Sequence, residues 1–228
     1  MRAILGSMIR ETRMLLTSVN VGQPREVMHG TQRVRTGIFK HPVAGPVHVG
    51  RAGLDGDGQA DPDHHGGTDK AVYAFALEQY EHWQESLAHP GMPFGQFGEN
   101  LTIAGLDESA SRVGDRLRIG DALLVITQPR SPCFKLGIRM QRADMPKLFS
   151  AHARTGYYLR VEREGTVAAG DRVDIAQRAE GSVTIRDLFR AIMNPRGRDA
   201  SAILARALEV PELAATLRDK IERRLRDA

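Results

Sequence analysis

The sequence predicts a mainly β protein: a β-barrel or folded-over sheet with a few short helices, followed by a small C-terminal unit of three helices. Three observations carry this prediction. Short strand-like runs separated by tight turns such as Gly120-Asp121 and Glu164-Gly165 fill the chain from Met14 to Glu180. Few stretches in that span show helical spacing. At Ser182 the apolar period changes to that of a helix and keeps it to the end.

The elements follow in order. Residues 1–13 read as an N-terminal extension or an expression leftover, with Met14 a candidate start. Met14 to Val21 is a first strand, Thr36 to Lys40 a second that Pro42 ends, and Pro46 to Val49 a third. Residues 53–70 are too rich in glycine and aspartate for helix or strand. A loop of that length inside a compact domain usually serves function. Lys70 to Phe75 is a strand. Leu77, Tyr80, Trp83 and Leu87 then share one helical face, which Pro90 terminates.

Glu99-Asn100 leads into a strand through Ile103. Arg116 to Ile119, Gly120-Asp121 and Ala122 to Thr127 form a hairpin signature, and the prolines at 129 and 132 predict that its second strand stops at Thr127. A short helix after Asp144 turns Met145, Leu148 and Phe149 inward. Tyr157 to Arg163, Thr166 to Ala168 and Arg172 to Ala176 are strands. In the tail, Ser182 caps a helix carrying Ile185, Leu188, Phe189 and Ile192. Asp199 caps a second, and Pro211 opens a third with Leu213, Leu217, Ile221 and Leu225. The domains are therefore 14–180 and 181–228.

Composition narrows the functional classes. The 228 residues are 41% hydrophobic, enough for a sizeable core. Lys and Arg total 32 against 28 Asp and Glu, a scattered net charge of +4 that suits an anionic ligand. The basic stretch 218–226 is interleaved with acids, so it reads as a solvated helix face, and nucleic acid is not an expected partner. A single cysteine excludes a disulfide framework and fits a reducing cytoplasm. No apolar run approaches the roughly 18 residues of a membrane span.

The metal and nucleotide templates fail one by one. Asp55, Asp57 and Gln59 begin a calcium-loop pattern, but Ala60 replaces its glycine and Gly66 its glutamate. His64 and His65 are adjacent, with no Cys or His at zinc spacing. Neither a phosphate loop nor a dinucleotide fingerprint is present. What remains is Gln128-Pro-Arg-Ser-Pro-Cys133-Phe-Lys-Leu136. Two prolines stiffen this turn, and Arg130 and Lys135 flank the thiol. Cations held near a sulfur favour thiolate, the form that attacks or binds a soft metal. A lone cysteine is also commonly a small buried hydrophobe. In the glycine-rich loop, His65, Gly66 and Gly67 offer an imidazole and backbone amides to a ligand.

Four motifs together resemble the MOSC domain, named after the C-terminal domain of molybdenum cofactor sulfurases. They are Val19-Asn20-Val21-Gly22, the loop from Gly56-Asp57-Gly58-Gln59 to His65-Gly66-Gly67, Phe97-Gly98-Glu99-Asn100-Leu101 and the Cys133 turn. The bacterial YiiM-like subgroup, with its three-helix extension, is the nearest pattern. The resemblance implies a MOSC-type β-barrel and a pocket for the molybdenum cofactor, a pterin dithiolene bearing phosphate. Cys133 would be the protein ligand to molybdenum, with Arg130, Lys135 and Lys40 meeting negative charge. His65 and Asn100 would orient substrate or donate a proton. Gly66 and Gly67 would approach the cofactor. The implied activity is reduction of N-hydroxylated compounds such as 6-N-hydroxylaminopurine, detoxifying base analogues with electrons from a separate reductase protein. A second reading makes Cys133 a persulfide carrier or the domain a cofactor carrier. A homodimer is compatible with either reading.

Overall fold

The computed structural model describes residues 13–60 and 66–227. The expected extension, apart from Arg13, lies outside the described residues, and so does the candidate His65. Thirteen strands and six α-helices occur among the described residues. They are β1 (Met14–Val21), β2 (Arg25–His29), β3 (Gln32–Thr36), β4 (His41–Pro42), β5 (Val47–Gly50), β6 (Gly53–Leu54), β7 (Val72–Ala76), α1 (Glu78–Ser86) and β8 (Leu101–Ala104). The second half holds β9 (Arg116–Ile119), β10 (Ala122–Pro129), α2 (Phe134–Met140), α3 (Met145–His152), β11 (Tyr157–Arg163), β12 (Gly165–Val167), β13 (Arg172–Gln177), α4 (Ile185–Met193), α5 (Ala200–Leu208) and α6 (Ala215–Arg226).

Seven strands close a barrel in the order β13-β9-β10-β11-β7-β8-β1, and β1 pairs back onto β13 through Met14 with Val173. Closure removes the exposed edges that an open sheet would present. The β7–β8 pair is parallel, with Ala74 opposite Leu101, and α1 lies in the chain between the two strands. A parallel pair cannot be joined by a hairpin, so this crossover is where the barrel acquires its first helix.

Two buried clusters result. One fills the barrel with Leu16, Ile103, Leu124, Leu159 and their neighbours. It continues without a break into Val183, Ile185, Leu188, Leu204 and Leu217 of the helical tail. The other is aromatic and lies among α1, α2 and α3: Tyr73, Phe75, Tyr80, Trp83, Phe97 and Phe149, with Phe75 and Phe97 ring centroids 4.6 Å apart. Each fully buried side chain of this size adds about 1.5–3 kcal/mol of transfer free energy. Tyr80 and Trp83 sit inward as their spacing predicts, as do Met145 and Phe149.

Several expectations are corrected. Thr36 to Lys40 is not a strand; Thr36 ends β3, and β2–β3 form a hairpin with Val27 opposite Val34. The alternation escaped notice because only Val27, Met28 and Val34 are apolar among flanking charges. β10 does not stop at Thr127 but runs through Pro129, which sits opposite Tyr157. The missing proline donor is harmless there, because β9 pairs with β10 only as far as Val125. Residues 53–70 are not wholly loop; they contain β6 and a 3₁₀ turn at Thr68–Lys70. The cap of α4 is Thr184, whose hydroxyl accepts from the Asp187 amide at 3.1 Å; Ser182 instead donates to the Val113 carbonyl at 2.6 Å. Helix α2 begins directly after Cys133, where the two prolines predict only a stiff turn.

Candidate functional site

The end of β10, the start of α2, the 36–40 segment, the 57–60 loop and the 97–100 turn surround one cleft. Its non-atom space is about 670 Å³, open mouth included. Glycines let these segments meet. A Cβ on Gly37 would stand 2.6 Å from the Gly58 carbonyl oxygen, and Gly98 holds a φ of 80° that side-chain-bearing residues rarely adopt. Lys40, Asn100, Arg130, Cys133 and Lys135 all line this cleft, brought together from positions almost a hundred residues apart. Gly66 and Gly67 are not among the lining residues, and the Gly67 amide donates to the Gln59 side-chain oxygen at 2.7 Å.

One wall is a polar brace centred on Asp57, which the sequence places in the glycine-rich motif without marking it as a site residue. Its carboxylate accepts from both sides: the Lys40 ammonium, the Gly22 amide at 2.9 Å and the Asn100 amide nitrogen at 2.8 Å. Burial pulls Lys40 below its ordinary value, against the attraction of Asp57. The charge on Lys40 is thus already met by protein. Asn100 is equally engaged. Its Oδ1 accepts from the Tyr73 amide at 3.0 Å, and its Nδ2 also reaches the Asn20 carbonyl at 3.3 Å. Asn100 therefore works as a positioning residue for Asp57 and β7. The signal available in the sequence was an aspartate between two glycines, Gly56 and Gly58, where backbones approach closely.

The opposite wall is cationic and only partly satisfied. Arg130 is 5% exposed, and its guanidinium lies 5.2 Å from the ring centroids of both Tyr73 and Phe149. Nη2 donates to the Phe97 carbonyl at 3.4 Å, while the buried Nη1 has no partner. Burial opposes the charge, but Tyr73, Tyr158 and Cys133 would each favour it once ionised, Tyr158 also hydrogen-bonds the guanidinium, and the group stays above its ordinary value. The electrostatic link to Cys133 places the thiol within the field of that cation. Burial pushes the phenols of Tyr73 and Tyr158 up, so both stay neutral. Lys70 and Lys135 add positive charge to the lining, against which Asp57 is the lining carboxylate.

Cys133 occupies the cap position of α2 in an extended conformation, half-buried at the cleft. Among the described residues no three His, Cys, Asp or Glu side chains converge as a metal-binding group. A metal held by this thiol would need its remaining donors carried in with it. A pterin dithiolene does that, and its negative charge suits a wall with an orphaned, buried guanidinium nitrogen. The residues present fit the molybdenum cofactor on these grounds.

Comparison with known proteins agrees with this architecture. Residues 61–174 match the model of the MOSC domain. The uncharacterized protein YflK of Bacillus subtilis (strain 168) is 36% identical over 178 residues, which is 78% of this chain and 80% of that protein. The crystal structure of YiiM from Geobacillus stearothermophilus matches with a TM-score of 0.76 at 33% identity, covering 93% of this chain and 99% of that one. A protein named reductase from Gibberella moniliformis (strain M3125 / FGSC 7600) is 30% identical over 218 residues. That match takes in 94% of this chain but only 38% of the fungal protein.

Proposed function

The chain belongs to the MOSC domain family, and from that premise we propose that its cleft holds the molybdenum cofactor and reduces N-hydroxylated small molecules, such as 6-N-hydroxylaminopurine, to the parent amine. The observation that carries this reading is the pairing of the chain's single thiol with a buried arginine whose Nη1 lacks a partner. When bound, the cofactor supplies the two-electron chemistry by which R–NHOH, two protons and two electrons become R–NH2 and water.

The protein's own part is binding and orientation. Cys133, as a soft thiolate donor, would hold the metal. Arg130 and Lys135 would meet the negative charge of the bound group, Arg130 more rigidly because Tyr73 and Phe149 fix its plane. Lys40, Asp57 and Asn100 hold the facing wall. His65 is proposed as a proton donor, with Gly66 and Gly67 of the same glycine-rich motif approaching the cofactor. The 228 residues hold one cysteine, too few for an iron–sulfur cluster, and a separate donor protein is proposed as the source of electrons. Among the described residues no helix is long and apolar enough to cross a membrane.

The test is molybdenum and pterin content in protein from a cofactor-producing host, followed by 6-N-hydroxylaminopurine reduction with an artificial electron donor. Stoichiometric cofactor and many turnovers are expected. Turnover only when a sulfane-sulfur donor such as polysulfide is added would point instead to Cys133 as a persulfide carrier, and absence of cofactor would overturn the reading.

A further inference from the structure

A second cationic feature lies beside the cleft and takes no part in the roles above. Arg139 follows Lys135 by four residues on α2, so the two side chains share a helix face. Lys135 lines the cleft, and Arg139 therefore stands one turn further along the same face. Its guanidinium lies 5.2 Å from the Phe39 ring centroid, and that of Arg25, from β2, lies 3.8 Å from the same centroid. Phe39 sits between Ile38 and Lys40, which both line the cleft. Two nitrogens of Arg139, Nε and Nη2, are buried without a hydrogen-bond partner.

Buried donors left unmatched are costly, and a pair of them on one guanidinium is the fork that takes two oxygens of a phosphate. The nearby carboxylate does not fill this role. Glu99 attracts Arg139 at a distance, but its oxygens accept from Tyr80, Gly95, Phe97 and Thr102. Burial lowers the Arg139 value, and the like charge of Arg25 lowers it further. An anion bound between the two would relieve both penalties.

We propose that Arg25 and Arg139 form a phosphate-monoester site on the rim of the cleft, one helical turn beyond Lys135. Two sources carry that chemistry: the phosphate of the pterin cofactor, and the phosphate of a nucleotide form of the N-hydroxylated base. Only the choice between these sources rests on the function proposed above; the anion site does not.

The probe is adenosine monophosphate, titrated calorimetrically into cofactor-free protein, with adenosine as the control. Arg139→Gln keeps hydrogen-bonding capacity but removes charge, and Arg25→Gln does the same on the exposed hairpin, where folding is not at risk. Each is expected to weaken AMP binding by about tenfold or more, the scale of a lost charge-assisted contact, and to leave adenosine unaffected. The second arm measures pterin content of the same variants from a cofactor-producing host. Weaker AMP binding with unchanged pterin assigns the site to a nucleotide, and reduced pterin with unchanged AMP binding assigns it to the cofactor. A fall in both means the two esters share it. If neither changes, or wild type binds no AMP and the variants retain full pterin, the site does not exist. A protein that binds AMP but reduces no N-hydroxylated substrate would overturn only the earlier reading.

Discussion

Lys40 donates to Asp57 within the wall of the cleft, and each side chain is only 8% exposed. Pairs this deeply buried are fragile to the loss of one partner, because the other is left charged without water. Asp57→Asn should therefore cost about 3–5 kcal/mol in urea unfolding, and it should also loosen Gly22 and Asn100. The pH dependence has a defined sign. Burial lowers Lys40 in the folded protein below 10.5, so between those two values the unfolded chain holds more protons and stability rises with pH. Removing the Asp57 charge depresses Lys40 further, and the rise should begin at lower pH in the variant. An onset no lower than in wild type would show that Asp57 does not support the lysine charge.

Glu99 provides the complementary case. It is fully buried and accepts from the Gly95 amide at 2.8 Å, the Phe97 amide at 3.1 Å, the Thr102 hydroxyl at 3.0 Å and the Tyr80 hydroxyl. Burial raises its value above 4.5 in spite of these donors. The folded protein thus takes up this proton before the unfolded chain does. The stability it contributes is full below 4.5 and is lost as pH rises through the folded value. Glu99→Gln should erase that trend. It should also cost about 1–3 kcal/mol, because an amide nitrogen then faces a donor that needs an acceptor. Unfolding free energies across a pH series check both outcomes.

The barrel strands and the cysteine turn were legible because each has a local signature: Leu124 and Ile126 within a run of apolar residues, Gly120-Asp121 at a tight turn, prolines around a lone thiol. Asn100, Arg130 and Lys135, which line the cleft, were legible in the motifs that hold them, whereas Lys40, which lines it too, belongs to no motif and followed only from the resemblance. Asp57 was missed because its importance comes from partners at positions 22, 40 and 100 that only the closed barrel brings together. The β2–β3 hairpin was missed for a related reason. Its one-sided packing, Arg25 on Phe39 and His29 against Phe134 at 5.7 Å between ring centroids, leaves little apolar alternation to detect. Tertiary context likewise carried β10 through Pro129.

The boundary at residue 180 is proposed as a division of labour, with the chemistry in the barrel. The helices nevertheless share its core: Val183, Ile185 and Leu188 belong to the cluster that holds Leu124. The Ala215 amide at the start of α6 also donates to Asp69 at 2.9 Å, while Arg160 pairs with the same carboxylate at 2.6 Å, next to cleft-lining Lys70. A chain ending at Glu180 should keep cofactor binding but aggregate more readily, through the apolar surface uncovered. Asp69→Ala in the full chain, by contrast, should stay soluble and lose about 1–3 kcal/mol. Sedimentation and pterin content of the two proteins decide. Loss of cofactor from a soluble shortened chain would show that the helices complete the site.

Cys133→Ser is the sharpest test of the proposed chemistry. The change replaces one atom at a half-buried position, so a thiol with a packing role alone should cost about 0.5–3 kcal/mol and leave activity intact. A hydroxyl is a harder, poorer donor to a soft metal, so a ligating sulfur should be missed in activity far more than in stability. Arg130 and Lys135 remain in the variant and can still retain the cofactor through its negative charge. Rates must therefore be compared per molybdenum bound, with 6-N-hydroxylaminopurine and an artificial donor. The expected result is a folded variant that holds cofactor and has lost nearly all turnover, while wild type cycles many times without an added sulfane-sulfur donor. Equal rates per molybdenum would remove Cys133 from the metal and return it to packing. A wild type that stops after one turnover unless a sulfane-sulfur donor such as polysulfide is supplied would make the same sulfur a carrier.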